Sequence, residues 1–434
     1  MLAAASAAAP AVPLARNFAV EHYDATIQPD LTAQRLNGEV TIRFHSRIDG
    51  LGALELDTGT MEILSVSDGQ KPEYTERRAG ILVVVLARPL NKDAVGSVTI
   101  RYRAAPAKGL EFFPSQVYAS LFASDWLPSS DRIDDRATLR LRISADPAWK
   151  VAASGKLAGT TTENGRSVTE WRIETAMPPS LFGFAAGAFA ESIKQQNKVT
   201  LRTLAPAGTA MGPIEDAAAA AMQFFAGRTG AAYPFDTYTQ VFAQGDPMQA
   251  SAGMCLLPAS YAAKLAHQPD DLWTLADALA HQWYGVAVSY ADWSEFWLSE
   301  GISAFMADAF LESKFGKARY QLEIERSRGI FESLQADGKD RALSLTDWQS
   351  PEQTFGQLPI HKGVWVLDQL RRQLSDPVFW RGMRRFTLTA WGKTASSDDL
   401  QRALQAASDN KKLDKFFERW VTGCCSKLPE KQRY

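Results

Sequence analysis

Within DLWTLADALAHQWYGVAVSYADWSEFWLSEGISAFMADAF, residues 271–310, two side chains that bind metals or move protons stand nineteen positions apart: His281 and Glu300. Asp277 precedes His281 by four residues. On a helix that spacing gives both side chains neighbouring places, about 6 Å apart along the axis. An imidazole with two carboxylates has two chemistries open to it. Nitrogen and carboxylate oxygen both coordinate divalent ions, and the same groups form buried hydrogen-bonded clusters around a proton or a water. A histidine on an apolar face is more often the second, so residue types alone leave both readings open. Cys255 raises a third chemistry, a thiol nucleophile with His281 or His361 as its base. A free cysteine is commonly an inert core residue, and nothing in the spacing brings a base within its reach.

The elements that must hold these groups follow from hydrophobic period. Leu272, Leu275, Ala276, Leu279 and Trp283 trace one face of a helix ahead of a short aromatic connector, and a second helix carries Glu300. Further helices are expected at 214–227, 317–335, 362–374, 378–389, 397–407 and 412–421. Upstream the period changes to two. Val40, Ile42 and Phe44 alternate with polar residues, as do Val98, Ile100 and Tyr102, and Leu139, Leu141 and Ile143. Ile81 to Leu86 suits a more buried strand, and Asn164-Gly165 signals a tight hairpin. The expected division is residues 1–16 as a disordered start or trimmed export signal, 17–205 as an all-β domain, and 206–434 as a mainly helical domain with a strand at 238–244.

Composition narrows the function. A chain of 434 residues with 46% hydrophobic content can bury more than one core. Its 47 basic and 49 acidic residues show no run of one sign, which argues against nucleic acid as the main partner. No stretch reads as a membrane span. Cys255, Cys424 and Cys425 are too few for a disulfide framework or a cysteine-rich zinc site. The compartment stays open between cytoplasm and periplasm for a soluble protein of bacterial type.

The run LADALAHQWYG, followed at the right interval by EFWLSEGISAF, resembles the aminopeptidase N family, the zinc gluzincins that include leukotriene-A hydrolase. There, a helix carries HExxH, and a Glu nineteen residues after the second His completes the zinc site. Similarity extends from about residue 17 to 425. It implies an α+β architecture, a β-saddle followed by a thermolysin-like peptidase-type domain, without the larger helical domain that many relatives carry behind it.

The same resemblance implies that the reacting atoms are missing. Asp277 stands in the place of the first zinc-binding His, and Ala278 in that of the general base. The family's G-x-M-E-N segment, whose Glu holds the substrate amine, is matched to Ala252-Gly253-Met254-Cys255-Leu256, with Cys255 for that Glu. Gln116 and Tyr118 are matched to the TQxE pattern of the amine pocket, and Ile360 to the Tyr of YxKG that stabilises the oxyanion. The implied protein is a pseudopeptidase scaffold that binds a peptide or protein partner, with Gln116, Tyr118, Gly253, Met254 and Cys255 in its cleft and no bound cofactor. The alternative is an active metallo-aminopeptidase whose zinc is weakly held by Asp277, His281 and Glu300. Oligomeric state is left open.

Overall fold

The computed structural model describes residues 16–69, 75–78, 80–345, 356–409, 411–426 and 428. The expected disordered or trimmed start lies almost wholly outside the described residues. The N-terminal half is built of sheets. The largest has seven strands in the order Lys156–Glu163, Arg166–Met177, Ala137–Ala145, Phe18–Asp30, Arg35–Ser46, Val95–Ala104 and Glu62–Ser67. Each run read as alternating falls on one of these strands. In Ala137–Ala145, Leu139, Leu141 and Ile143 are buried while the residues between them are half-exposed, as a sheet with one face on the core requires. Asn164-Gly165 forms the turn between Lys156–Glu163 and Arg166–Met177, with both residues at positive φ (51° and 75°).

The expected boundary at residue 206 marks where strands give way to helix, and it is not where a sheet ends. Ala190–Gln196 and Val199–Ala205 join Thr237–Ala243, Met254–Pro258 and Gln249–Ser251 in one five-stranded sheet, with Val199–Ala205 parallel to Thr237–Ala243. Composition shows the onset of helix but not the pairing partner of the strands before it.

The helices are α1 (Met211–Thr229), α2 (Ala259–His267), α3 (Trp273–Ala280), α4 (Trp297–Phe315), α5 (Lys317–Ala336), α6 (Gln357–Leu374), α7 (Asp376–Ala390), α8 (Ser397–Ala407) and α9 (Asp414–Trp420), of which α1, α2 and α3 pack against this sheet. The molecule is thus α+β, a sheet-rich half followed by a mainly helical one. Helix α4 is buried along almost its whole length, which explains why its sequence is apolar around most of its circumference. It meets α6 backbone to backbone. A Cβ on Gly301 would lie 2.9 Å from the Cα of Gly363, and one on Gly363 would lie 2.7 Å from the Cα of Gly301. This close crossing sets the first turn of α6, with Ile360, beside Glu300. Helix α8 opens with a capping box, the Ser396 N–H donating to the Asp399 carboxylate at 2.9 Å. Cys424 and Cys425 are joined to each other.

Candidate functional site

Helix α3 is shorter than its hydrophobic period. It ends at Ala280, so His281 caps it, and the chain then winds more widely: the N–H groups of Val286, Ala287 and Val288 reach back five residues to the carbonyls of His281, Gln282 and Trp283. Gly285 makes the turn possible. Its φ is 125°, and a Cβ there would sit 2.6 Å from the Ser299 hydroxyl that holds His281.

The underside of this turn is anchored throughout. Gln282, fully buried, accepts from the Gly253 N–H at 3.0 Å and donates to the carbonyls of Ser251 (2.9 Å) and Met254 (3.3 Å). The Trp283 indole donates to the Ala231 carbonyl at 3.0 Å, and the Tyr284 hydroxyl pairs with that of Thr387 at 2.7 Å. Turn and sheet are therefore one hydrogen-bonded body.

The upper side faces a cavity of about 240 Å³ lined by Asp277, Ala278, His281, Glu300 and Ile360, together with residues from the sheet-rich half. The Ser299 hydroxyl donates to the Tyr284 carbonyl at 3.0 Å, so towards His281 Nδ1, 3.1 Å away, it acts as acceptor. That fixes the proton on Nδ1 and leaves the Nε2 lone pair facing inward. There it meets Asp277 Oδ2 and Glu300 Oε1, each at 3.8 Å. Burial disfavours charge on all three. It lowers His281 to about 4, raises Glu300 to about 7, and raises Asp277 well above the carboxylate range, with the negative charges of Glu300 and Asp308 adding to the effect.

The resemblance implies a zinc ion, whose bonding geometry these donors meet only in part. Bonds of about 2.0–2.2 Å in a tetrahedral arrangement place ligand atoms roughly 3.3–3.6 Å apart. Two pairs at 3.8 Å stand a few tenths of an ångström outside that, with the imidazole already in the ligating tautomer. Asp277, His281 and Glu300 fit a divalent ion loosely. Among the described residues no three His, Cys, Asp or Glu side chains close into a tighter metal centre.

The other expected site residues divide. Ala278 and Ile360 line the cavity beside the trio. Gly253, Met254, Cys255, Gln116 and Tyr118 do not. Gly253 makes a hairpin turn at φ 77°, and Met254 and Cys255 belong to the inner strand Met254–Pro258, both fully buried. Cys255 points into the core, where its sulfur accepts from the Tyr238 hydroxyl at 3.0 Å and burial pushes its thiol up to about 12. Gln116 and Tyr118 lie on the strand Gln116–Ala119, and Tyr118 stacks on Phe113 with ring centroids 5.8 Å apart.

The outer strand supplies Gln249 and Ala250 to the cavity rim, with Met248 just before it, while the inner strand reaches the cavity only through Leu257. Register explains the displacement, because Ala250 pairs with Cys255 and the two runs lie side by side across the hairpin. On the rim, Gly245 to Ala250 is thus the run that resembles G-x-M-E-N, with one extra residue after the Gly and with Gln249 where that pattern has Glu. Met248 followed by Gln249 was the signal for this. Leu121, Ser180, Trp273, Tyr290 and Phe296 also line the cavity, and no motif marked them.

Known proteins resemble the chain in sequence and in fold. Residues 215–420 match the model of the Peptidase family M1 domain. A leukotriene A-4 hydrolase homolog of Botryotinia fuckeliana is 25% identical over 426 residues, covering 89% of this chain and 65% of its own length. Endoplasmic reticulum aminopeptidase 1 of Rattus norvegicus is 22% identical, covering 88% of this chain and 45% of its own length. The chain thus spans two thirds or less of these curated relatives. Among solved structures, an M1 zinc metallopeptidase from Deinococcus radiodurans superposes with a TM-score of 0.78 at 22% identity, covering 95% of both chains, and so shares the two-domain fold.

Proposed function

From the premise that this chain carries a peptidase family M1 domain, we propose that it is a pseudopeptidase, a scaffold that binds a peptide or protein partner without hydrolysing it. The observation that carries the reading is the side chain of Ala278. A methyl group on the cavity floor cannot take a proton from water, and the carboxylates that do line the cavity, Asp277 and Glu300, both face His281. Loss of a positioned acid or base costs about 10²- to 10⁴-fold in rate. Ile360, also in the lining, offers no hydrogen to a developing oxyanion, for which one donor contributes about 10²- to 10³-fold. Gln249 on the rim is neutral where a substrate ammonium would need a counter-charge.

If zinc binds, Asp277, His281 and Glu300 hold it. A zinc ion there would polarise a carbonyl and acidify water. The residues around it do the rest of the work in any hydrolysis, and here they position a ligand without moving its protons. A second reading, an active metallo-aminopeptidase with a rebuilt Asp277, His281 and Glu300 site, is favoured by the convergence of the three donors at 3.8 Å. Metal analysis of the purified protein, combined with assays on aminoacyl chromogenic substrates, separates the two. The pseudopeptidase reading expects no turnover at any zinc content. Stoichiometric zinc with turnover abolished by a chelator establishes the second reading.

A further inference from the structure

Cys424 and Cys425, which follow α9, are bonded to each other and are both exposed. A disulfide stabilises a chain mainly by closing a long loop, and one between neighbours in sequence closes almost none. What it can fix is a single turn. Cys425 holds φ at 64°, in the left-handed region that residues with a side chain seldom enter. Gly423 ahead of it lies so close to α9 that a Cβ there would meet the Glu418 carbonyl. The turn so held aims the Cys425 N–H at Asp340 Oδ2, 2.9 Å away.

At Asp340 the turn meets α5 and α6. Oδ2 also accepts from the Gln335 amide at 2.9 Å, and the same amide donates to the Ser426 carbonyl at 3.0 Å. Oδ1 takes the ammonium of Lys362, a fully buried residue of α6, at 2.8 Å. That ammonium donates to the Arg341 carbonyl as well. Beside it, the N–H groups of Leu343 and Ser344 both donate to the Val421 carbonyl, at 2.7 and 3.0 Å. A buried ammonium is tolerated only while its carboxylate and hydrogen bonds stay in place. Solvent thus reaches the sulfur atoms at one end of this set of contacts and is kept from the ammonium at the other.

We propose that Cys424 and Cys425 form a redox-reversible clasp over the buried Lys362–Asp340 pair, opened by thiol reductants. A thiolate of the reductant attacks one sulfur and breaks the S–S bond, and a second reductant thiol displaces the mixed disulfide. The reductant leaves as its own disulfide, and the protein gains two electrons and two protons as two thiols. With the ring open, Cys425 leaves the left-handed region, its N–H leaves Asp340, and water reaches Lys362. Ile360 of the cleft lining and Gly363 of the helix crossing stand within two positions of Lys362, so clasp and cleft share the first turns of α6. The proposal holds whether or not the cleft hydrolyses.

Hydrogen exchange read by mass spectrometry tests this on the full chain, oxidised with diamide or reduced with dithiothreitol. Residues 339–345 and 421–426 are expected to exchange about tenfold or more faster after reduction, while 137–145 of the sheet-rich half are unchanged. Lys362 is expected to react with an amine-acylating reagent only in the reduced chain. The double variant C424S/C425S, altered outside every helix and strand, is expected to exchange at the reduced rate with or without dithiothreitol. Equal exchange in the two states of the parent, with iodoacetamide labelling of Cys424 and Cys425 proving reduction, overturns the proposal. So does labelling of both cysteines in the diamide-treated chain, with buried Cys255 as the unlabelled reference.

Discussion

The two faces of the turn after α3 differ sharply in how they are satisfied. On the sheet side, Gln282 spends its hydrogen-bonding groups on three backbone partners, and Trp283 and Tyr284 each find a buried partner. On the cavity side, Asp277 and Glu300 stand 3.8 Å from His281, Ala278 presents a methyl, and Ile360 an aliphatic chain. The side that resembles a zinc peptidase most closely in sequence is the side that holds the fold together. The side that departs from it is the one where a reaction would take place. Family likeness in this stretch is therefore evidence about architecture first, and about chemistry only residue by residue.

Four substitutions would break or sharpen that contrast. Gln282→Ala is expected to have the largest effect. It removes the acceptor of the buried Gly253 N–H and the amide that donates to the carbonyls of Ser251 and Met254, at a cost of about 2–4 kcal/mol in denaturant unfolding. Gly363→Ala comes next, because its Cβ would lie 2.7 Å from the Cα of Gly301 and would force α4 and α6 apart; about 2–3 kcal/mol is expected by the same measurement. A loss under 0.5 kcal/mol in the first variant would show that the underside is not what holds the site, and one in the second that the crossing of α4 and α6 does not.

On the cavity side, Glu300→Gln is expected to stabilise the chelator-treated protein. Burial raises Glu300 to about 7, so the folded protein keeps a proton that the unfolded chain releases near its ordinary value of 4.5. Stability from this group is present at acid pH and is lost as pH rises from about 4.5 through 7. The Gln variant escapes that loss. It should exceed the parent by about 2 kcal/mol at pH 8, allowing for the 22% exposure of the carboxylate, with the gap closed by pH 4.5. Melting curves at the two pH values check this, and a gap that widens towards acid contradicts it. The smallest effect is expected from Ala278→Glu, which restores a base while Gln249 and Ile360 stay in place. Turnover of aminoacyl substrates with added zinc should remain undetectable, and a rate that responds to zinc would show that the base alone was missing.

Much of the fold was legible in the sequence because period-two and period-3.6 patterns report which face is buried, and burial is what fixes strands and helices. Ala137–Ala145 shows this directly. The sheet partner of Val199–Ala205 was not legible, since pairing depends on chain path and not on local pattern. Nor was the end of α3, where Trp283 continues the helical period but Gly285 and the five-residue bonds redirect the chain. In the site, Asp277, Ala278, His281, Glu300 and Ile360 come together in one cavity lining, and each lies in a helix or at a helix end whose spacing is visible in the sequence. Cys255 could not, because Met248-Gln249 and Met254-Cys255 offer competing matches, and only the hairpin register decides which of them faces the cavity. Ser180, Tyr290 and Trp273 come from separate elements that only the folded chain brings together.

The central claim is that this cleft binds without cleaving, and a single-turnover experiment tests it most directly. Protein at a concentration above that of an N-terminally free peptide is incubated with zinc for hours, and the mixture is read by mass spectrometry. The account predicts that the peptide is recovered intact with and without a chelator. Release of the N-terminal residue in stoichiometric amount, abolished by the chelator, would contradict it.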